Sequence, residues 1–407
     1  MLFVLMASAV LKFIMSLSMN KSSKKNKNSI ALEIIFINSF IFTSFGFLAS
    51  RPGAEEFLFL ETIFPLIYLA IFFTGHRDTV IKILNLCFTI STFIIGVLFL
   101  IQVFGFGEGN DILSILGDSS ELQGVATNSD GQVTGLRFMP LYSLSYLTSI
   151  SLHNLANSIN NFFSETQSKN VITEKLLIII HFFNFSTTLF CIILSGRQGL
   201  ILGFIGSLLL ITAAQIVVST TWKSKSINYI KQGRKHIRLI LGTILFFVVL
   251  VLLVNNIVAF VKIDYEYIQN FTAKNGGDME RIGQLASLVD SWSNSPIIGH
   301  GNGSTVSVVR DAARPWRYEL SYMMRLNNMG LLGITIYFFG VSLICISLAK
   351  NFYKTGKIVY MSSLAGLLSL LIADGTNPYM VRFTVLYYFY YCLWLSMNTE
   401  EQSLGKS

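Results

Sequence analysis

Charged side chains are scarce in this chain. Asp, Glu, Lys and Arg make up 13% of its 407 residues, against about 25% in a soluble domain, which excludes an ordinary water-exposed surface around a small core. Cysteine is sparse too. Cys87, Cys191, Cys345 and Cys392 each lie inside an apolar stretch, without Cys-x-x-Cys spacing, so no metal clip, redox pair or disulfide framework is expected. The chain also lacks a Walker lysine loop, a His-Glu-x-x-His pair and an Asp-x-Asp motif, the familiar means of holding a nucleotide or a catalytic metal. No metal and no cofactor are therefore expected, and no internal repeat is evident. The net charge of +8 would suit nucleic acid, but the basic residues fall in short connections between apolar stretches, where retention of positive charge on the cytoplasmic side accounts for them. Nucleic acid is not an expected partner.

What is abundant is hydrophobic sequence, 52% of the chain, in uncharged runs long enough to cross about 30 Å of hydrocarbon. Eleven spans are expected, at 1–19, 30–49, 57–73, 80–104, 138–158, 176–194, 199–218, 239–261, 324–348, 358–373 and 380–397. The fold class is thus an all-α polytopic membrane protein, with residues 1–407 forming one membrane domain. The first run carries Lys12 in its middle and is followed by Lys21, Lys24, Lys25 and Lys27, which favours a retained span with its N-terminus outside over a cleaved signal peptide. From that start, connections 20–29, 74–79, 159–175, 219–238 and 349–357 face the cytoplasm, as does the polar tail 398–407. Fourteen of the eighteen lysines lie in or beside those connections.

The arginines do the opposite. Arg51, Arg137, Arg197, Arg281, Arg310, Arg314, Arg317, Arg325 and Arg382 fall outside or at an outer membrane edge. Positive-inside sorting treats lysine and arginine alike, so it cannot produce opposite asymmetries for the two. Bidentate recognition of phosphate or carboxylate, which a planar guanidinium does better than an ammonium, is the physical alternative. Single outer arginines also snorkel to lipid headgroups.

Two outer segments are long. The first, 105–137, is rich in Gly, Ser and acidic residues and reads as a cap or lid. The second, 262–323, is the largest hydrophilic stretch and the place to look for chemistry. Asp278 there can start a helix with Met279, Ile282, Leu285, Val289 and Trp292 on one face and Glu280, Arg281, Gln284, Ser287 and Asp290 on the other, expected to lie along the membrane interface with Trp292 as anchor. Gly299-His300-Gly301-Asn302-Gly303 has neither a strand before it nor a helix after it, so a flexible turn is expected rather than a nucleotide cradle.

Several outer residues are placed for chemistry. Ser195-Gly196-Arg197-Gln198-Gly199 turns between two spans and leaves Arg197 near the headgroups; a plain hairpin turn with an interfacial arginine is the alternative. Arg137 begins a span. Asp374, before Gly375-Thr376-Asn377-Pro378, ends one, as a site residue or as a turn. Arg281 precedes Trp292 and the run Ser295-Pro296-Ile297-Ile298-Gly299-His300-Gly301, and Glu319 stands ahead of Gly330-Leu331-Leu332-Gly333. In that order, from Arg137 to Gly333, these pieces resemble the O-antigen polymerase and ligase superfamily of bacterial surface-polysaccharide assembly.

The resemblance implies a fold of the GT-C glycosyltransferase and O-antigen ligase type with a large periplasmic loop. It also implies a bacterial inner-membrane enzyme whose site faces the periplasm and acts on oligosaccharides carried by undecaprenyl diphosphate. Both donor and acceptor would be lipid-linked, membrane lipid would surround the site, and a chain-length regulator would be a partner. Arg197, Arg281 and Glu319 would be the catalytic residues, with Arg137, Arg310, Arg314, Arg317 and Asp374 binding substrate. The ligase branch usually carries a histidine where Glu319 stands, so a repeat-unit polymerase is expected ahead of a ligase that transfers polymer to lipid A core. Glu319 itself has two readings, a general base or an ion-pair partner of Arg317, Arg325 or another nearby arginine. A flippase would call for charged groups at mid-membrane, and the spans read as poor in them.

Overall fold

The computed structural model describes residues 29–73, 77–104, 123–127, 133–138, 141–163, 171–194, 198–221, 276–309, 312, 314–376, 380 and 383–397. The expected spans 1–19 and 239–261, the tail 398–407 and most of segment 105–137 lie outside these residues. Each of the other nine expected spans coincides with helix. They are α1 (Ser29–Leu48), α2 (Ala54–Leu58, a π turn Phe59–Ile63 and Phe64–Phe73), α3 (Arg77–Phe104), α4 (Leu141–Phe163), α5 (Val171–Leu194), α6 (Gln198–Thr221), α8 (Ser321–Thr355), α9 (Ile358–Thr376) and α10 (Phe383–Met397). Helix α7 (Gly276–Ser293) lies in segment 262–323. The first outer segment contributes a short antiparallel hairpin, β1 (Gln123–Thr127) with β2 (Val133–Phe138), in which Gly124 pairs with Arg137. Arg137 therefore stands in a strand and not at a helix start.

Among the described residues five helical stretches are long and apolar enough to cross a membrane: Ile30–Leu48, Thr79–Leu98, Lys175–Ile192, Ser321–Thr355 and Ile358–Gly375. Two shorter ones, Gly199–Ala214 and Val385–Met397, are also apolar. The chain is a helical, membrane-embedded protein.

The chain divides into two compact units, Phe88–Gly276 and the remainder, Met1–Cys87 with Gly277–Ser407. In the first of these, α4 packs on α5 and α6. Its composition explains why it is not among the apolar spans: Ser143, Ser145, Thr148, Ser149, Ser151, His153 and Asn154 are all buried. Hydroxyls in such a helix can be satisfied by its own carbonyls. Thr148 and Ser149 donate to the carbonyls of Leu144 and Tyr146, at 2.5 and 2.7 Å, and Asn154 donates to Thr89 Oγ1 at 3.0 Å.

The other unit is built on α8, which packs against α1, α9 and α10. Helix α10 adds an aromatic wall, with Tyr387, Tyr390, Tyr391 and Trp394 against Tyr68 and Phe72 of α2 at ring-centroid separations of 5.1–6.4 Å. Two departures from regular helix shape this unit. The π turn in α2 spans Phe59–Ile63, a local widening common at functional sites. Helix α8 is broken at Gly330, whose φ of 63° and ψ of −173° are open to glycine alone. A side chain there would also collide with the carbonyl of Ile297.

Gly330→Ala is therefore expected to destabilise the protein by about 1–3 kcal/mol from backbone strain, with the clash in addition. Gly206→Ala is the control, because it sits in α6 with open space around it. The thermal midpoint of the detergent-solubilised protein should fall for the first variant and hold or rise for the second.

Candidate functional site

The break in α8 releases carbonyls from its first part and amides from its second, which need partners at this depth. The segment after α7 supplies them. The amides of His300 and Gly301 donate to the carbonyls of Asn327 and Asn328 at 3.0 and 2.8 Å, while the carbonyls of Pro296 and Ile297 accept from Leu331 and Leu332 at 2.9 and 3.0 Å. On its other side the segment is pinned to α1 and the start of α2, through Asn302 N to Phe42 O at 3.1 Å and Gly53 N to Gly303 O at 3.2 Å.

Three glycines, Gly299, Gly301 and Gly303, have positive φ, and a Cβ on Gly301 would stand 2.7 Å from the amide nitrogen of Gly46. The glycine-rich run is thus a fixed wedge between helix ends and not the flexible turn its composition suggests. Its bonds and close packing set its shape. His300 is held as well: its Nε2 donates to the carbonyl of Ser291 at 2.7 Å, and its own carbonyl accepts from Arg51 Nε at 2.9 Å.

Above the wedge, α7 and segment 304–320 bring arginines and carboxylates together. Arg281 donates from Nε to Oε2 of Glu319 in an ion pair whose side chains are 29% and 15% exposed. The amide of Glu319 donates to Oε1 of the fully buried Gln284 at 3.3 Å, which fixes the pair against α7. Arg317 is engaged elsewhere: it and the indole of Trp316 donate to the two oxygens of Glu56, at 2.7 and 2.8 Å. Tyr318 is fully buried and accepts from the amide of Val306 at 2.7 Å; burial pushes its phenol up from the ordinary value. Of the two readings of Glu319, ion pairing is what the resting geometry contains, and the partner is Arg281, not Arg317 or Arg325.

The remaining site residues fall as follows. Asp374 is fully buried, and its Oδ1 accepts from Ser321 Oγ at 3.3 Å and from the amide of Met380 at 2.7 Å. These contacts fit the turn reading: Asp374 ties the end of α9 to the start of α8. Arg314 is half-buried, and its carbonyl accepts from the amide of Arg317 at 3.0 Å. Arg197 and Arg310 lie outside the described residues, as does the side chain of Arg137.

The sequence reading passed over a second charged pair, buried within the helices. Arg325 Nη1 donates to Glu61 Oε1 at 2.8 Å, with side chains 6% and 8% exposed. The other oxygen of Glu61 accepts from Asn302 Nδ2 at 2.9 Å, an amide group that also reaches Thr43 Oγ1 at 3.1 Å. The guanidinium carbon of Arg325 stands 4.8 Å from the centre of the Tyr337 ring. Arg325 is therefore a buried, paired residue and not one exposed to headgroups, and the helices hold a charged pair. A signal was available in Glu61, an acidic residue inside the expected span 57–73, because such residues persist only where they are paired or used. Arg325 Nε, Tyr337 Oη, Asn302 Oδ1 and Asn327 Oδ1 are buried without a hydrogen-bond partner among the described residues, the kind of atoms that hold internal water.

Chemically, the outer pair offers a guanidinium and a carboxylate within one hydrogen bond, both reachable from outside the protein. A guanidinium can hold a phosphate, and a carboxylate can accept a proton. No three His, Cys, Asp or Glu side chains gather as metal ligands among the described residues. Comparison with protein-family models, curated proteins and solved structures finds no match.

Proposed function

We propose that this protein polymerises oligosaccharide repeat units carried on undecaprenyl diphosphate, at the periplasmic face of a bacterial inner membrane. The observation that supports this reading most is the contact between Arg281 and Glu319, which are 38 residues apart in sequence. Two other pieces of the resemblance, 295–301 and the Gly330 region, are bonded to each other. Residues that matter only as isolated helix caps or headgroup anchors have no reason to converge.

In the proposed reaction a hydroxyl of the acceptor sugar attacks the anomeric carbon of the donor chain with inversion. The C–O bond to the diphosphate breaks, and undecaprenyl diphosphate leaves with the electron pair. Arg281 stabilises the charge that grows on the diphosphate oxygens, an interaction stronger in the transition state than before it; the resemblance gives Arg197 a catalytic role as well. Arg281 leaves Glu319 as it engages the diphosphate, and Glu319 takes the proton of the acceptor hydroxyl. The oligosaccharide carriers are thus both donor and acceptor, and a chain-length regulator would act on the same membrane face.

A transporter reading draws on the broken helix and the buried Glu61–Arg325 pair, since transporters build substrate sites from interrupted helices. There the freed backbone groups meet the substrate, whereas here residues 296–301 occupy them, so the polymerase reading is preferred. In cells, Arg197→Ala and Arg281→Ala at normal protein levels should each reduce surface polymer to about a single repeat on most carriers. Unchanged polymer length and yield in both variants would sink the assignment. A null strain with long polymer retained on the lipid carrier would instead point to a ligase.

A further inference from the structure

Helix α7 is amphipathic in an inverted sense. Its polar Gln284 and Ser287 face inward with Leu288, at 0%, 9% and 0% exposure, while Ile282, Leu285 and Val289 face outward at 58%, 41% and 40%. A helix lying against water would do the reverse. Its outward apolar row continues into the wedge, where Ile297 and Ile298 are 65% and 50% exposed, and into Leu331 and Leu332 of α8, at 49% and 50%.

The depth of this surface is fixed by the backbone. Leu331 and Leu332 open the long apolar part of α8, and their amides bond to Pro296 and Ile297 at 2.9 and 3.0 Å. The wedge therefore stands level with residues inside the membrane-crossing stretch Ser321–Thr355. Farther along α8, Phe339 and Ile346 are exposed at 55% and 48%, as a lipid-facing surface requires. Leu48, at the end of another membrane-crossing helix, is 86% exposed, and the wedge is hydrogen-bonded to that helix through Phe42. Trp292 does not anchor α7 through a free indole N–H, since its Nε1 donates to the carbonyl of Pro296 at 3.1 Å. That bond ties α7 to the wedge.

We propose that α7 and residues 296–299 are immersed in one leaflet of the bilayer, with Ile282, Leu285, Val289, Ile297 and Ile298 in contact with lipid acyl chains. The occupant of this surface is membrane lipid. The protein thus carries an in-plane helix and a membrane-inserted loop beside its spans, and Arg281, one residue before Ile282, lies at the boundary between acyl chains and headgroups. This inference is independent of the polymerase reading, since it rests on exposure and hydrogen bonding alone.

The test is spin labelling of single cysteines introduced at Leu285, Val289, Ile297 and, as water-exposed controls, Asp290 and Ala312. The full-length protein would carry Cys87→Ser and Cys345→Ser and be held in nanodiscs of phosphatidylethanolamine and phosphatidylglycerol. Collision with oxygen, which concentrates in the bilayer, should exceed collision with a water-soluble nickel chelate at positions 285, 289 and 297, and the order should reverse at 290 and 312. Free access of the nickel chelate at all five positions would overturn the proposal by placing the apolar row in water. Protection from both reagents at 285, 289 and 297 would also overturn it, because a second copy or another protein would then cover the surface. Each label reads separately, so one variant that fails to fold leaves the others decisive.

Discussion

Arg325→Met in a protein that keeps Glu61 is expected to lose about 3–5 kcal/mol of stability, as is Glu61→Leu in a protein that keeps Arg325. Either change strands one charge among helices, at a site where its partner is less than a tenth exposed. The double variant Glu61→Leu/Arg325→Met is expected to recover most of the loss, because the cost of desolvating two ions disappears together with their attraction. Full recovery is not expected: Asn302 would lose its acceptor on Glu61, and an unsatisfied buried amide costs about 1–3 kcal/mol. Denaturant or thermal unfolding in detergent micelles reads all three proteins. Single variants as stable as the parent would mean that water reaches the pair.

The second large effect concerns chemistry. Glu319→Gln keeps the size of the side chain and its capacity to accept a hydrogen bond from Arg281, but cannot take a proton from an acceptor hydroxyl. The rate of chain extension is expected to fall by about a hundredfold to ten-thousandfold. Arg281→Ala should cost about a hundredfold to a thousandfold, by analogy with removal of one transition-state hydrogen-bond donor. Because the two residues act on one another, the double variant should lose far less than the product of the single effects. A Glu319→Gln enzyme with an unaltered rate would reduce Glu319 to an ion-pair partner.

Most of the helical plan was legible in the sequence, because a span is a one-dimensional signal: about twenty apolar residues with few charges. Helix α4 shows its limit, since a helix enclosed by others can be rich in Ser, Thr and Asn when its hydroxyls bond to its own carbonyls. The break at Gly330 was visible only as a Gly-Leu-Leu-Gly run. Nothing local distinguishes a glycine that merely lets helices approach from one at positive φ, and its true partner, residues 296–301, lies about thirty residues upstream.

The site was legible in part. Arg281 and Glu319 were each singled out, and their contact assigns Glu319 a partner that spacing could not. The burial of Arg325 was not legible because a residue at the edge of an apolar run can point outward or inward, and its partner Glu61 is 264 positions away. Asp374 illustrates the same difficulty, since only the contacts with Ser321 and Met380 separate a turn residue from a substrate ligand.

The central claim is that the outer pair serves glycosyl transfer between two lipid carriers. It is tested most directly by incubating the purified protein with one defined undecaprenyl-diphosphate repeat unit, and no other sugar donor, and resolving the products by mass. The expected result is a ladder spaced by whole repeats, with one undecaprenyl diphosphate released per bond formed, and loss of the ladder in Arg281→Ala. A protein that moves the intact carrier across a vesicle membrane but never lengthens it would contradict the account.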